Sequence, residues 1–332
     1  MISVKAVLRC KLFLFIFSFH TIVLASSSNV LLISSNSHFA MVHRIEAALF
    51  SQPSPRPNIS HILVDELQNP ERFHTHSEVS LIVCFGAEAL EAVLKLNTEK
   101  PVLAILIRKN TFYNLLSIYH RKINDSQYPI SAIYLDQSLQ RQINLIQTIF
   151  PDIDYKSSVG VLFGPGSINQ QEELLQLAAE NQLRLNTIYV NNFENPVAVM
   201  DAFLDEVRVL LALPDNRIFN PHSARGILLA AFHKHVPLIG YSQSYVKNGA
   251  LISLFSSTKQ IAQQTAQAIL TILDQNQLPV PQYPNEFSIE VNYQVARSLN
   301  INIDSETDLH HKLLVKEKAN SQVLIKQGTQ RA

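Results

Sequence analysis

Short apolar runs recur along this chain, each stopping at small or polar residues before a helical stripe begins. Leu81-Ile82-Val83-Cys84-Phe85 carries no charged or amide side chain. It has no face suited to water and fits a parallel strand covered on both sides. Gly86-Ala87-Glu88 then opens a helix with Leu90, Val93 and Leu94 on one face. The fullest instance is Val236 to Ala262: a buried strand to Gly240, a polar turn at Tyr241-Ser242-Gln243-Ser244 and a one-turn helix. Lys247-Asn248-Gly249 breaks that run, Ala250 to Leu254 is extended again, and Ser257-Thr258 caps a helix to about Leu273.

The alternation occurs twice. Asn29–Ile33, Ile59–Val64, Leu81–Phe85 and Pro101–Ile107 read as strands of one sheet, with a helix carrying Met41, Ile45 and Leu49 between the first two. Ile130–Tyr134 begins a second series. It continues with a helix over Gln137–Phe150, strands at Ser158–Phe163, Leu183–Val190 and Val207–Leu213, and helices at Gln170–Asn181, Phe193–Asp205 and Ser223–His235. Strand and helix in alternation predict parallel sheets covered on both faces. Two doubly wound α/β lobes are expected.

Val236-Pro237-Leu238-Ile239-Gly240, Val246, Gly249-Ala250-Leu251 and Ser253 match a segment of the ABC-transporter substrate-binding family, the group of type I periplasmic binding proteins with tryptophan- and tyrosine-binding members. Gln142, Leu145-Ile146 and Pro151 before a Val-Gly-Val-Leu strand, Asp215-Asn216, and Phe287–Asn292 with Ala296 and Leu299 resemble further segments in the same order. The resemblance spans roughly Ile130 to Ile303; before that it is one of layout. It implies a three-crossover hinge, with crossings near Ser131–Ala132, Ser253–Leu254 and Tyr283–Glu286. The first lobe is then 29–131 plus 254–282 and the second 132–253 plus 284–304. Residues 305–332 are left as a C-terminal extension, either loose or an added helix around Leu309 to Lys318.

Hydrophobic residues make up 47% of the 332 and charged ones 16%, which supports a large core. Residues 1–25 read as a cleavable signal peptide: Lys5, Arg9 and Lys11, an apolar run from Leu12 to Leu24, and Ala25 before Ser26-Ser27-Ser28. The run holds 10 apolar residues in 13, short of the roughly 20 that span a bilayer. The expected location is therefore periplasmic. Without those three cations, 27 basic residues become 24 against 27 acidic ones, and no basic face recruits nucleic acid. Cys84 then stands alone and reads as a small hydrophobe.

The exits of the strands are where a cleft between two sheets gathers its ligand groups. The expected lining is Ser35 and Asn36 after the first strand, Gly86, Ala87 and Glu88 after the third, and Gly166 and Ser167 in the Gly-Pro-Gly-Ser exit. Asp215 and Asn216 follow in the second lobe, then Tyr241 and Gln243. Small residues let backbone N–H groups and helix N-termini face a carboxylate. Amino-acid-binding members commonly place acids after the Gly240 strand, whereas this chain has Tyr241 to Ser244, leaving Asp215 or Glu88 to meet an ammonium. No Walker, Rossmann or nucleophile-elbow pattern occurs, and His74/His76, His233/His235 and His310/His311 have no third ligand nearby. The chain is read as a monomeric non-enzyme without cofactor or metal: an exported solute-binding protein that closes on an amino acid or other small polar solute and delivers it to an ABC permease. The alternative is a periplasmic sensor or accessory subunit for a membrane signalling protein or outer-membrane receptor.

Overall fold

A computed structural model describes residues 28–52, 56–68, 78–153, 158–192 and 194–329, with side chains described as far as residue 319. The expected signal segment and the His74/His76 pair lie outside these residues. The first sheet contains β1 (Asn29–Ser34), β2 (Asn58–Leu63), β3 (Val79–Phe85), β4 (Val102–Ile107) and β5 (Ile130–Tyr134). All its pairings are parallel, in the order β2-β1-β3-β4-β5. The helices that follow its strands are α1 (Phe39–Phe50), α2 (Gly86–Lys95) and α3 (Lys109–Ile118).

β1 shows why the runs lack polar residues. Val30 and Leu32 pack with Met41 and Ile45 of α1 on one face, and Leu31 and Ile33 with Leu90 and Val93 of α2 on the other. Each such side chain withdrawn from water stabilises the lobe by about 1.5–3 kcal/mol.

The second sheet runs β11-β10-β9-β8-β6-β7. Its strands are β6 (Ser158–Phe163), β7 (Arg184–Tyr189), β8 (Val209–Leu211), β9 (Leu238–Gly240), β10 (Ile252–Phe255) and β11 (Ser288–Val291). Only β11 is antiparallel to its neighbour. Around it lie α4 (Leu139–Ile149), α5 (Gln171–Glu180), α6 (Met200–Leu204), α7 (Ala224–His233) and α8 (Gln243–Lys247). α9 (Thr258–Gln275) instead returns to the first lobe, where Ile261, Ala266 and Ile269 join the core beside α1. Ser257 starts α9 through a capping box with Gln260, which fixes where the chain leaves the second sheet. α10 (Tyr293–Ser298) and α11 (Glu306–Thr329) complete the chain. The two-lobe α/β reading holds.

Several boundaries differ from the sequence reading. β5 pairs with β4 through Tyr134, so the first crossing follows residue 134 rather than falling at 131–132. β10 pairs with β11 through Phe255, moving the second crossing past 253–254 to residues 256–257. In both places ladder hydrogen bonds continue beyond the expected break. The helix expected over 193–205 shrinks to α6, because Asn191 and Asn195 side chains accept from the backbone N–H groups of Glu194 and Val197 and hold local turns instead. The tail is an ordered helix, with Leu309 and Leu313 fully buried in the second-lobe core.

Candidate functional site

The exits of β4 and β5 meet at α3. Arg108 is its N-cap residue in extended conformation, and Asp136, just past β5, accepts the Lys109 backbone N–H at 2.7 Å. A carboxylate at a helix start satisfies a donor that has no partner inside the helix. Burial pushes the Asp136 carboxyl above the usual aspartate range, opposed by that N–H and by the charges of Arg108 and Lys109. Phe112, Leu115 and Leu116 hold α3 on the sheet, so its first turn has a fixed direction.

That first turn reaches the other lobe. Arg108 donates to the Pro214 carbonyl at 3.2 Å and, more weakly, to Asn216 Oδ1 at 3.5 Å. Asn110 donates to Asn169 Oδ1 at 2.6 Å, and Lys109 Nζ pairs with Glu173 at 3.1 Å. Burial works against the Lys109 charge, but the Tyr283 hydroxyl and Glu173 together hold its pKa above the ordinary lysine value. Beside these contacts lies a cavity of about 270 Å³, walled by Arg108, Asn110 and Asp136 from one lobe and Gly166, Asn216 and Arg217 from the other.

Asp215 lines the same cavity but is only 1% exposed. Its Oδ2 accepts from Ser167 Oγ at 2.7 Å and its Oδ1 from the Arg217 backbone N–H at 2.8 Å. A Cβ on Gly164 would stand 2.9 Å from Oδ2, so the glycine is there because the carboxylate packs against its backbone. Ser167 is fully buried and serves this link. Asp215 and Ser167 therefore tie the β6 and β8 exits together within one lobe, rather than presenting themselves to solvent.

The remaining expected residues fall in two other places. Ser35 and Asn36 begin a 3-10 turn in which Ser35 Oγ lies 3.1 Å from His38 Nδ1. Gly86 opens α2 at φ +83, where a Cβ would stand 3.0 Å from the His38 ring. Burial lowers the His38 pKa, opposed by Glu88, so Ser35, Gly86 and Glu88 form one cluster at the β1 and β3 exits. Asn36, Ala87 and Glu88 are exposed. Tyr241 pairs its hydroxyl with Tyr245 at 2.9 Å, and both line a second cavity of about 470 Å³. Burial raises both phenols' pKa values, opposed in part by the Arg108 charge, which places the β4 and β9 exits within electrostatic reach. Gln243 is exposed at the start of α8.

Arg108, Asn110, Asp136 and Arg217 were not among the expected residues. The signal was present: Arg108-Lys109-Asn110 is a polar exit after an apolar run, followed by Phe112, Leu115 and Leu116 at helical spacing. Neither guanidinium has a carboxylate partner among the described residues; Arg217 bonds the carbonyls of Asn191 and Glu194. Among those residues no group of three His, Cys, Asp or Glu could hold a metal ion, and no helix is long and apolar enough to cross a membrane. Burial pushes the Cys84 thiol up, which suits an inert core position.

Solved structures share this architecture. A ligand-free, open substrate-binding protein with adhesive properties from Clostridium difficile has a TM-score of 0.66 and 14% identity, covering 84% of this chain and 96% of its own. An ABC domain in complex with L-Trp from Streptococcus pneumonia gives 0.57 and 16%, covering 86% and 98%. A conserved domain protein from Vibrio cholerae gives 0.56 and 18%, with the same coverages of 86% and 98%. No curated protein matches the sequence. The fold is that of type I periplasmic binding proteins. The family described as ABC transporter substrate binding protein matches residues 65–311, and the chain belongs to that family.

Proposed function

We propose that this protein is exported, captures a small polar solute between its lobes and presents it to an ABC permease. The observation that carries the reading is the cavity beside α3, which takes its walls from strand exits of both lobes. A ligand held there touches both lobes only when they are closed, and so shifts the population toward closure. Arg108 and Arg217 offer guanidinium donors with no carboxylate partner among the described residues, which suits a carboxylate on the solute. Asp136 is the acid in the wall that keeps partial exposure, and it suits a donor at the solute's other end. Asp215, expected to meet an ammonium, has both oxygens engaged within its own lobe.

The test is a thermal-shift screen of residues 26–332 against amino acids, small organic acids, sugars and nucleosides. The L-Trp complex of a neighbour puts amino acids first. A compound at 100 times its dissociation constant adds about 2.7 kcal/mol of stability, a readily measured shift. A hit among carboxylates that disappears in Arg108→Ala supports the reading. Silence across the screen moves the choice to the sensor or accessory-subunit alternative.

A further inference from the structure

The three segments that link the lobes are joined through two side chains, Arg141 and Gln137. Arg141, on the first turn of α4, is 9% exposed. Its Nη1 donates to Gln137 Oε1 at 2.7 Å and to the Pro284 carbonyl at 3.0 Å. Gln137 Nε2 donates onward to Ser256 Oγ at 2.8 Å, and that hydroxyl donates to the Glu286 carbonyl at 2.5 Å. Gln137 lies in the first link, Ser256 in the second, and Pro284 and Glu286 in the third.

The other edge of the guanidinium belongs to the C-terminal helix. Nε and Nη2 both donate to the carboxylate of Glu317 on α11, and the guanidinium stacks over the Phe287 ring with its carbon 4.5 Å from the centroid. Glu317 lies beyond residues 65–311, the part of the chain that matches the family. Docking α11 does not itself require this pair, because Leu309 and Leu313 already anchor the helix in the core. What Glu317 adds is a fixed orientation and a counter-charge for a buried cation at the junction of the links. A forked arginine–carboxylate pair is directional, and removing one partner leaves a buried charge uncompensated.

We infer that Arg141 and Glu317 form a latch through which the C-terminal helix biases the lobes toward closure. Lobe opening concentrates its backbone rotation in the linking residues. The latch, by holding Gln137, Ser256 and Pro284 together, opposes any rotation that separates them. The state it holds is the one seen, with Arg108, Lys109 and Asn110 in contact with the opposite lobe. Arg141 and Glu317 are positioning residues: they stand outside the cavity and act by setting the fraction of molecules ready to bind.

The inference rests on the reading of this protein as a hinge-closing solute binder, but its test needs no ligand. Spin labels on Ser117→Cys in α3 and Gln176→Cys in α5, both exposed and in different lobes, report the opening of the cleft. The full chain carries Cys10→Ser to leave buried Cys84 as the other thiol. Glu317→Gln keeps the size but removes the charge and one of the two acceptor oxygens, and Leu174→Ala destabilises the second-lobe core while leaving both latch residues in place. The expected result is a shift to longer, broader distances in Glu317→Gln and none in Leu174→Ala. An unchanged distribution in Glu317→Gln, or an equal shift in both variants, overturns the latch. A shift accompanied by silence in the solute screen removes the capture reading and leaves the latch standing.

Discussion

The Arg108 side chain crosses from the end of β4 to the backbone carbonyl of Pro214 at the end of β8, a distance of 3.2 Å. One residue thus spans the gap between two sheets while standing in the wall of the cavity between them. Because it is only half-buried, its loss should cost affinity more than stability. Arg108→Ala is expected to weaken binding of a carboxylate-bearing solute by about tenfold or more, the scale of a lost charged hydrogen bond. Titration calorimetry with the hit from the solute screen measures this; an unchanged dissociation constant would place the ligand elsewhere.

Asp215 has the opposite profile. Its substitution by alanine strips a buried hydroxyl, Ser167 Oγ, of its acceptor. Asp215→Ala should lower stability by about 1–3 kcal/mol. Urea unfolding reads this directly. A variant as stable as the parent would return Asp215 to the role of a ligand contact.

Gly86 is held at φ +83, with the His38 ring where a side chain would begin. Gly86→Ala should therefore cost about 1–3 kcal/mol through backbone strain alone, before the contact with His38 is added. A melting temperature equal to the parent's would mean that the α2 start relaxes freely.

The Asp136 carboxyl has a folded pKa raised above 3.8 by burial. A raised carboxyl pKa contributes stability that is present below the unfolded value and lost as pH rises through the folded one. Asp136→Asn keeps an acceptor for the Lys109 N–H but cannot ionise. The variant should gain on the parent as pH climbs from below 3.8 toward neutrality. Denaturant midpoints across that range test the sign, and parallel pH profiles for the two proteins would count against it.

Leu313 is fully buried between the C-terminal helix and the second lobe. Leu313→Ala should cost about 2–5 kcal/mol, as large-to-small changes in packed cores do. A cost near zero, measured by urea unfolding, would mean that the helix contributes little to the core.

The sequence by itself determined the layers. Runs such as Leu81–Phe85 and Ser158–Phe163 lack a face for water, so each had to be covered on both sides, and parallel sheets in two lobes followed. It also determined that Gly164 and Asp215 each stand just past the end of a strand, since small and polar exits are visible locally. Tertiary structure alone decided which exits face each other. Asp215 turned inward because Ser167, 48 positions away, offers a donor only once β6 and β8 lie side by side. Arg108 became part of the cavity because Pro214, 106 positions on, was brought opposite it. The tail, whose stripe is weak, became a helix because the second-lobe core had room for Leu309 and Leu313 and a buried cation, Arg141, for Glu317. Local pattern records what a residue needs in the way of water or cover; which partner meets that need depends on contacts between residues far apart in the chain.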